Sequence, residues 1–192
     1  MSRLATLLAT ACLALAGCAA NFEPKPMDEV PFLERALTQE TEGVRVTTAV
    51  PDAEESRQLF GLKLYKRGVQ PVWIEIENGS DEDISFMPVG IDTDYHSALE
   101  VASLHRSRSS REAVEQYFLN ARVGLGIRPG ETRSGFVFTT LDEGSKAFNV
   151  DLVGDHRSWR FTFFVPVPGL AIDHYDVDFN AIYSPDEITD YT

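Results

Sequence analysis

Alternation of apolar and polar residues runs through much of the chain and predicts β-strands. The residues that share one face in the alternating runs are Val44, Val46, Thr48 and Val50; Val72, Ile74 and Ile76; Phe136 and Phe138; Phe148, Val150 and Leu152; and Trp159, Phe161, Phe163 and Val165. Successive side chains of a strand point to opposite faces, so a period of two indicates strands with one buried face. About seven short strands separated by turns predict a mainly β fold, an immunoglobulin-like β-sandwich.

Two turn signals divide these strands. Asn78-Gly79 follows the second run and predicts a hairpin, with Ile84–Met87 as the partner strand. Arg128-Pro129-Gly130-Glu131 predicts a type II turn, because proline fits its second position and glycine its third.

Helical periodicity interrupts the sheet pattern. Three short polar residues stand three positions before a glutamate, which is capping-box spacing: Asp52 with Glu55, Ser97 with Glu100, and Ser109 with Glu112. The last pair begins a run whose apolar residues share one helical face: Ala113, Val114, Tyr117, Phe118 and Ala121. We therefore predict a small helical insertion at about residues 97–122 within the sheet domain.

The start of the chain has the layout of an export signal. Arg3 is followed by the uncharged apolar run Leu4–Ala16, which is shorter than the ~20 residues needed to cross a bilayer. The run ends in Leu15-Ala16-Gly17-Cys18, which resembles the lipobox of bacterial lipoproteins. That resemblance implies cleavage before Cys18, a diacylglyceryl group on its thiol and an acyl chain such as palmitate on the new amine. The alternative is an ordinary cleaved signal in which Cys18 is incidental.

Lipidation of Cys18 would determine the location of the protein in the cell. By the sorting rules of bacterial lipoproteins, Ala19 favours the outer membrane, with the domain facing the periplasm. The prolines of residues 18–41 predict a semi-extended tether, with one helical turn beginning at Pro31. We expect the sandwich domain to occupy residues 42–192 and to end in an acidic tail at about 172–192.

Charge narrows the range of partners. The chain of 192 residues carries 17 basic and 30 acidic residues, a net charge of −13, which argues against nucleic acid as the partner. The basic residues are unevenly spread, because six arginines lie between residues 106 and 133: Arg106, Arg108, Arg111, Arg122, Arg128 and Arg133. Guanidinium groups form bidentate contacts with carboxylates and phosphates, so Arg106, Arg108 and Arg111 are candidate anion or partner contacts. The alternative is that these arginines solvate the insertion and pair with local acids.

Motifs that carry chemistry are missing from the sequence. It contains no nucleophile elbow, dinucleotide fingerprint, P-loop or zinc-protease motif. Asp92, Asp94 and His96 come closest to a metal site, but a turn in which the aspartates accept backbone N–H groups is the preferred interpretation. We therefore expect that the protein is not an enzyme and that it has no catalytic residue, metal or cofactor.

Trp73 is a second possible contact residue. It lies on the polar face of its strand, beside Glu75 and Glu77. It would either dock a partner or lie beneath the helical insertion, and the second is preferred because tryptophan is usually buried.

Four longer stretches carry a family resemblance: RALTQETEGVRVTTAV, ESRQLFGLKLYKRGVQPVWIEIENGSD, GFVFTTLDEGSKAFNVDLVG and FTFFVPVPGL. They resemble the extracytoplasmic sandwich-like domain that bacterial envelope proteins carry beside an LssY-type C-terminal region. The resemblance covers about residues 32–191 and transfers no catalytic residue. Because no catalytic motif is present, we expect a non-enzymatic binding or scaffold module of the envelope, held to the membrane by its anchor and bound to another envelope protein. The family resemblance suggests the alternative, an accessory component of, or enzyme in, phospholipid or phosphate metabolism.

Overall fold

Eight strands pair into two antiparallel sheets in the computed structural model, which describes residues 22–105, 110–142 and 144–167. The strands are β1 (Leu37–Thr41), β2 (Val44–Ala49), β3 (Val69–Asn78), β4 (Ile84–Met87), β5 (Gly126–Ile127), β6 (Thr132–Thr140), β7 (Ser145–Val153) and β8 (Ser158–Pro166). The first sheet has the order β1-β2-β3-β6 and the second the order β5-β4-β7-β8. The chain passes from one sheet to the other after β3, β5 and β6, so the two sheets are interleaved along the sequence.

Apolar side chains from the facing sides of both sheets form the sandwich core. Strand β8 shows the pattern most clearly, because its residues alternate strictly between exposed and buried. The buried positions are those that the period of two predicts, including Trp159, Phe161, Phe163 and Val165 in β8. Complete burial of one such side chain stabilises the fold by roughly 1.5–3 kcal/mol. The mainly β, immunoglobulin-like sandwich with a small helical insertion is confirmed.

The predicted hairpin at Asn78-Gly79 is wrong, because β3 and β4 belong to different sheets. The Asn78 side-chain amide donates hydrogen bonds to the carbonyls of Glu82 (2.8 Å) and Ile127 (3.1 Å), which lie on the path to the second sheet. The backbone of Gly79 passes so close to Gly43 that a Cβ would stand 2.5 Å from the Gly43 carbonyl oxygen. This Asn-Gly pair therefore directs a crossover between sheets.

Two other turns have the backbone conformations that their own residues favour. Gly130 has φ +74°, the left-handed value that the third position of a type II turn requires, and Glu131 N–H donates to the Arg128 carbonyl at 3.0 Å. The predicted turn is therefore confirmed. A two-residue hairpin joins β1 to β2, where Glu42 and Gly43 both have positive φ.

Three α-helices are described: α1 (Ala53–Phe60), α2 (Ala98–Ser103) and α3 (Arg111–Ala121). The capping boxes predicted at Asp52 and Ser97 both form, with Glu55 and Glu100 completing them. The third box does not begin α3 as predicted, because Ser110 is the N-cap residue and makes no side-chain cap. Ser109 itself lies outside the described residues.

A second apolar cluster covers the outer face of the first sheet, beneath the helices. Trp73 belongs to it and is 4% exposed, so its burial is confirmed, but the ring that it meets edge-on at 6.3 Å is Phe32 of the N-terminal segment and not a residue of the insertion. Phe60 and Phe118 stack at 5.3 Å above Phe136 and Phe138. We call this cluster the aromatic layer.

The predicted tether is partly wrong. Within residues 18–41 the structure describes residues 22–41, and these pack onto the domain. Phe32 is fully buried, a 3₁₀ turn spans Pro31–Arg35 as predicted, and β1 pairs with β2. The folded domain therefore begins well before residue 42, because Val30 and Phe32 belong to the aromatic layer.

Candidate functional site

A cleft of about 190 Å³ opens where the helical insertion meets β6. Its floor is the outer side of β6, from Phe136 to Phe138. Its walls come from two segments of the insertion and from the loop before it: Pro88, Tyr95, His96, Ser97, Ala98, Arg122, Val123 and Leu125. The cleft is thus built by residues that are far apart in sequence.

Backbone hydrogen bonds hold both walls against β6. His96 N–H donates to the Phe138 carbonyl at 2.7 Å, and Val123 N–H donates to the Phe136 carbonyl at 3.2 Å. Next to the Val123 hydrogen bond, a Cβ on Gly135 would stand 2.5 Å from the Val123 nitrogen, so the close approach of the two chain segments needs a residue without a side chain there. These contacts fix the walls to the rigid sheet and also cover much of the free edge of β6.

The cleft combines an apolar surface with two basic side chains. Arg122 is exposed and His96 is half-buried. Arg122 forms no ion pair within the described part of the chain, and the described lining includes no carboxylate. Such a surface suits an apolar group that carries an acceptor or a negative charge.

The surface around the cleft is unusually apolar. Tyr95 is 43% exposed and Leu125 is 56% exposed, and both line the cleft. Val89 and Leu99, each 49% exposed, adjoin the lining residues Pro88 and Ala98 in sequence. Grouped apolar side chains of this size on a protein surface are typical of a binding site.

Ser97 and His96 are adjacent in the cleft wall but do not form a nucleophile–base pair. The Ser97 hydroxyl accepts the Glu100 N–H at 3.2 Å and so caps α2. No hydrogen bond joins it to His96 among the described contacts.

The structure places Asp92 in a turn, as the preferred interpretation predicts. Its carboxylate accepts the N–H and the hydroxyl of Thr140, both at 2.6 Å, and the Asp94 N–H at 2.8 Å. Burial alone would raise the pKa of Asp92, but these hydrogen bonds outweigh it and hold the pKa below its usual range. Across the described residues, no three His, Cys, Asp or Glu side chains are grouped so that they could hold a metal ion.

The predicted arginine contacts divide into two groups. Arg111 is described, and its Nε donates to Glu115 Oε1 at 2.8 Å within α3. This local pair fits the alternative in which the arginine solvates the insertion. Arg106 and Arg108 lie outside the described residues, as do Cys18 and the acidic tail.

Sequence reasoning missed a basic surface beside α1. Lys63, Lys66 and Arg67 are all exposed there. The signal was present, because residues 56–74 include four basic residues and no acidic one, in a chain of net charge −13.

In the part of the chain that the structure describes, no helix has the length and apolar character needed to span a bilayer. No family model, curated protein or solved structure matches the chain. The resemblance to the envelope domain therefore stays a prediction, and the function is argued from the sequence signal and the geometry.

Proposed function

We propose that this protein is a non-enzymatic binding or scaffold module of the bacterial envelope, anchored to the outer membrane through lipidated Cys18 and facing the periplasm. The support for the anchor is the order of a positive start, an apolar run and the Leu-Ala-Gly-Cys box. A lipid anchor with two or more acyl chains holds a protein stably at a membrane.

The observation that carries the binding role is the cleft between the helical insertion and β6. It has a fixed backbone, an apolar floor and a rim on which Tyr95 and Leu125 are about half exposed. Burying such side chains against a partner removes apolar surface from water, which drives most protein association. A segment of another envelope protein with apolar residues beside an acid would suit it, because Arg122 stands at the edge.

Intact-mass measurement of protein from the membrane fraction tests the anchor. We expect a chain that begins at Cys18 and carries the mass of a diacylglyceryl group and an amide-linked acyl chain. The Cys18→Ala variant should lose this mass, whereas Cys12→Ala, which changes the other cysteine, should keep it. An unlipidated wild-type chain, or a lipidated Cys18→Ala chain, would refute the anchor.

Photo-crosslinking in cells tests the partner surface. A photoreactive residue at Leu125 should yield a discrete adduct with one envelope protein. The matched control position is Phe164, which is 68% exposed on the outward side of β8. Identical adducts from both positions, or none from Leu125, would contradict the assignment of the cleft.

One observation favours the second candidate, a role in phosphate or phospholipid metabolism. Arg122 and His96 line the same cleft and could together hold a phosphate monoester. Titration with glycerol phosphate, followed through the His96 ring signals by NMR, separates the two roles. Saturable shifts that Arg122→Gln abolishes would favour the phosphate role, and unchanged spectra would favour the protein-binding role.

A further inference from the structure

Three cations are held on a rigid, exposed turn beside the C-terminus of α1. Gly61 ends the helix at φ +62°, and Gly68 closes the following 3₁₀ turn, Tyr65–Arg67, at φ +73°. Leu64 is 1% exposed and Tyr65 is 9% exposed, so they anchor the turn in the domain. The intervening cationic side chains are those of Lys63, Lys66 and Arg67, and all three are exposed.

These side chains surround a hollow of about 230 Å³ with an apolar base. Leu62, Leu64 and Leu104 supply the base of the hollow, and the three cations form its rim. We call this surface the basic hollow. None of the ion pairs among the described residues involves Lys63, Lys66 or Arg67. Within the described residues, no carboxylate therefore neutralises these three charges.

The basic hollow lies where the described chain begins. A Cβ on Gly61 would stand 3.3 Å from the Phe22 ring, and Phe22 also meets Tyr117 edge-on at 5.4 Å. Lys25 N–H donates to the Gln58 carbonyl of α1 at 2.8 Å. The start of the described chain is therefore fixed beside α1. Gly61, beside which Phe22 packs, directly precedes Leu62, the first leucine of the hollow.

The distance from this point to Cys18 is short. Phe22 follows Cys18 by four residues, and a chain of that length reaches at most about 15 Å. An anchor at Cys18 would therefore hold the face around Phe22 and Gly61 next to the bilayer.

We infer that the basic hollow is the surface with which the domain lies on anionic phospholipid headgroups of the membrane that its anchor enters. The inference rests on the proposed lipidation of Cys18. The protein as a whole is strongly acidic, so an anionic membrane repels most of its surface. Each Lys or Arg near such a membrane favours contact by about fivefold, and the leucines between the cations can meet the interfacial region. The hollow therefore sets which side of the domain faces the bilayer and which side is left for partners.

Hydrogen exchange of the lipidated, full-length protein in vesicles tests this inference. One set of vesicles is phosphatidylcholine alone, and in the other about a third of the lipid is phosphatidylglycerol, enough to give a negative surface potential. We expect exchange of the amides from Leu62 to Gly68 to be several-fold slower in the anionic vesicles. Raising the salt to about 1 M, where the Debye length is ~3 Å, should remove the difference.

Two variants that lose the same number of positive charges test whether the protection depends on this face of the domain or only on the net charge of the protein. In the first, Lys63, Lys66 and Arg67 are all replaced by Gln, and the protection of residues 62–68 should disappear. In the control, Arg45, Arg128 and Arg133 are replaced by Gln, and the protection should persist. The control residues lie toward the far end of β3, which has ten residues and spans about 30 Å. Equal loss in both variants would overturn the inference.

The remaining outcomes distinguish failure of the proposed anchor from failure of the inferred contact between the hollow and the membrane. If Cys18 is unlipidated, the protein will fail to float with phosphatidylcholine vesicles, and the proposed anchor fails. Flotation with the anionic vesicles alone would then still support the hollow. If the lipidated protein shows equal exchange in both vesicle types, the inference fails although the anchor stands. Protection in native membranes but not in pure lipid would show that the hollow binds a protein, which also overturns it.

Discussion

The two faces of the first sheet contribute to two hydrophobic cores of different composition. Its inner face contributes aliphatic residues such as Val72, Ile74 and Ile76 to the sandwich core. Its outer face carries Trp73 and Phe136 into the aromatic layer, which Phe32 and the helices complete. The inner core joins strands that alternate regularly, whereas the aromatic layer joins side chains from segments that are far apart in the chain, from Val30 to Phe138.

This difference shows where the functional surfaces arise. The aromatic layer positions α1, α2 and α3, and residues next to the ends of these helices line the cleft and the basic hollow. The layer is therefore both a core and the support on which the candidate binding surfaces rest.

The largest expected effect comes from removing a ring from the aromatic layer. Phe118 is fully buried, with its ring 5.3 Å from those of Phe60 and Phe138. We expect Phe118→Ala to lower the free energy of unfolding by about 3–5 kcal/mol, measured by urea denaturation. Phe161→Ala in the sandwich core is the matched variant and should cost a similar amount, because its ring is also buried.

Both variants should unfold in a single transition, because the two cores share the backbone of β3 and β6. Two separate transitions in Phe118→Ala would show instead that the aromatic layer and the sandwich are independent units. A cost below about 1 kcal/mol would show that the layer is not a true core.

A smaller effect is expected from the ion pair that joins the N-terminal segment to α1. Arg35 Nη1 donates to Glu55 Oε1 at 3.0 Å, and the Glu55 side chain is 10% exposed. The hydrogen bonds that Arg35 donates to Glu55 raise the pKa of Arg35. We expect Glu55→Gln to destabilise the protein by about 1–2 kcal/mol, because a charge-assisted hydrogen bond is lost while the cap can persist.

The control for this variant is Glu54→Gln on the same helix. A hydrogen bond from Arg57 lowers the pKa of Glu54 to about 2, but both side chains are exposed to water. Solvent screening should make this change much smaller than that of Glu55→Gln. Equal losses in urea denaturation would contradict the distinction between the two pairs.

The smallest effect concerns Asp92, which ties the loop before α2 to the end of β6. Its pKa is lowered in the folded protein, so its carboxylate stabilises the fold above the ordinary aspartate pKa of about 3.9. That contribution is lost as the pH falls through the lowered value. We expect Asp92→Asn to cost about 1 kcal/mol at neutral pH, and the difference from wild type to shrink below about pH 4. A difference that is constant from pH 7 to pH 3 in urea denaturation would show that the charge does not matter.

Predictions from the sequence succeeded where the signal is local. The capping boxes at Asp52 and Ser97 and the turn at Gly130 depend on residues within three positions of one another. The candidate site was harder to predict, because His96 and Arg122 are 26 positions apart and meet only through their contacts with β6. The sequence pointed to His96 as part of a turn with Asp92, and the structure places its side chain at the cleft instead.

The sequence alone determined six of the eight strands and the helical insertion, because each depends on periodicity or spacing between near neighbours. Only the tertiary structure decided that β4 leaves its expected partner β3 for the second sheet. Only the tertiary structure decided, too, that the N-terminal segment packs against Trp73 instead of forming an extended tether. These choices depend on the free energy of burying side chains that are distant in the chain, which no local pattern records. The closeness of Phe22 to the basic hollow belongs to the same class, because the packing of Phe22 beside α1 creates it.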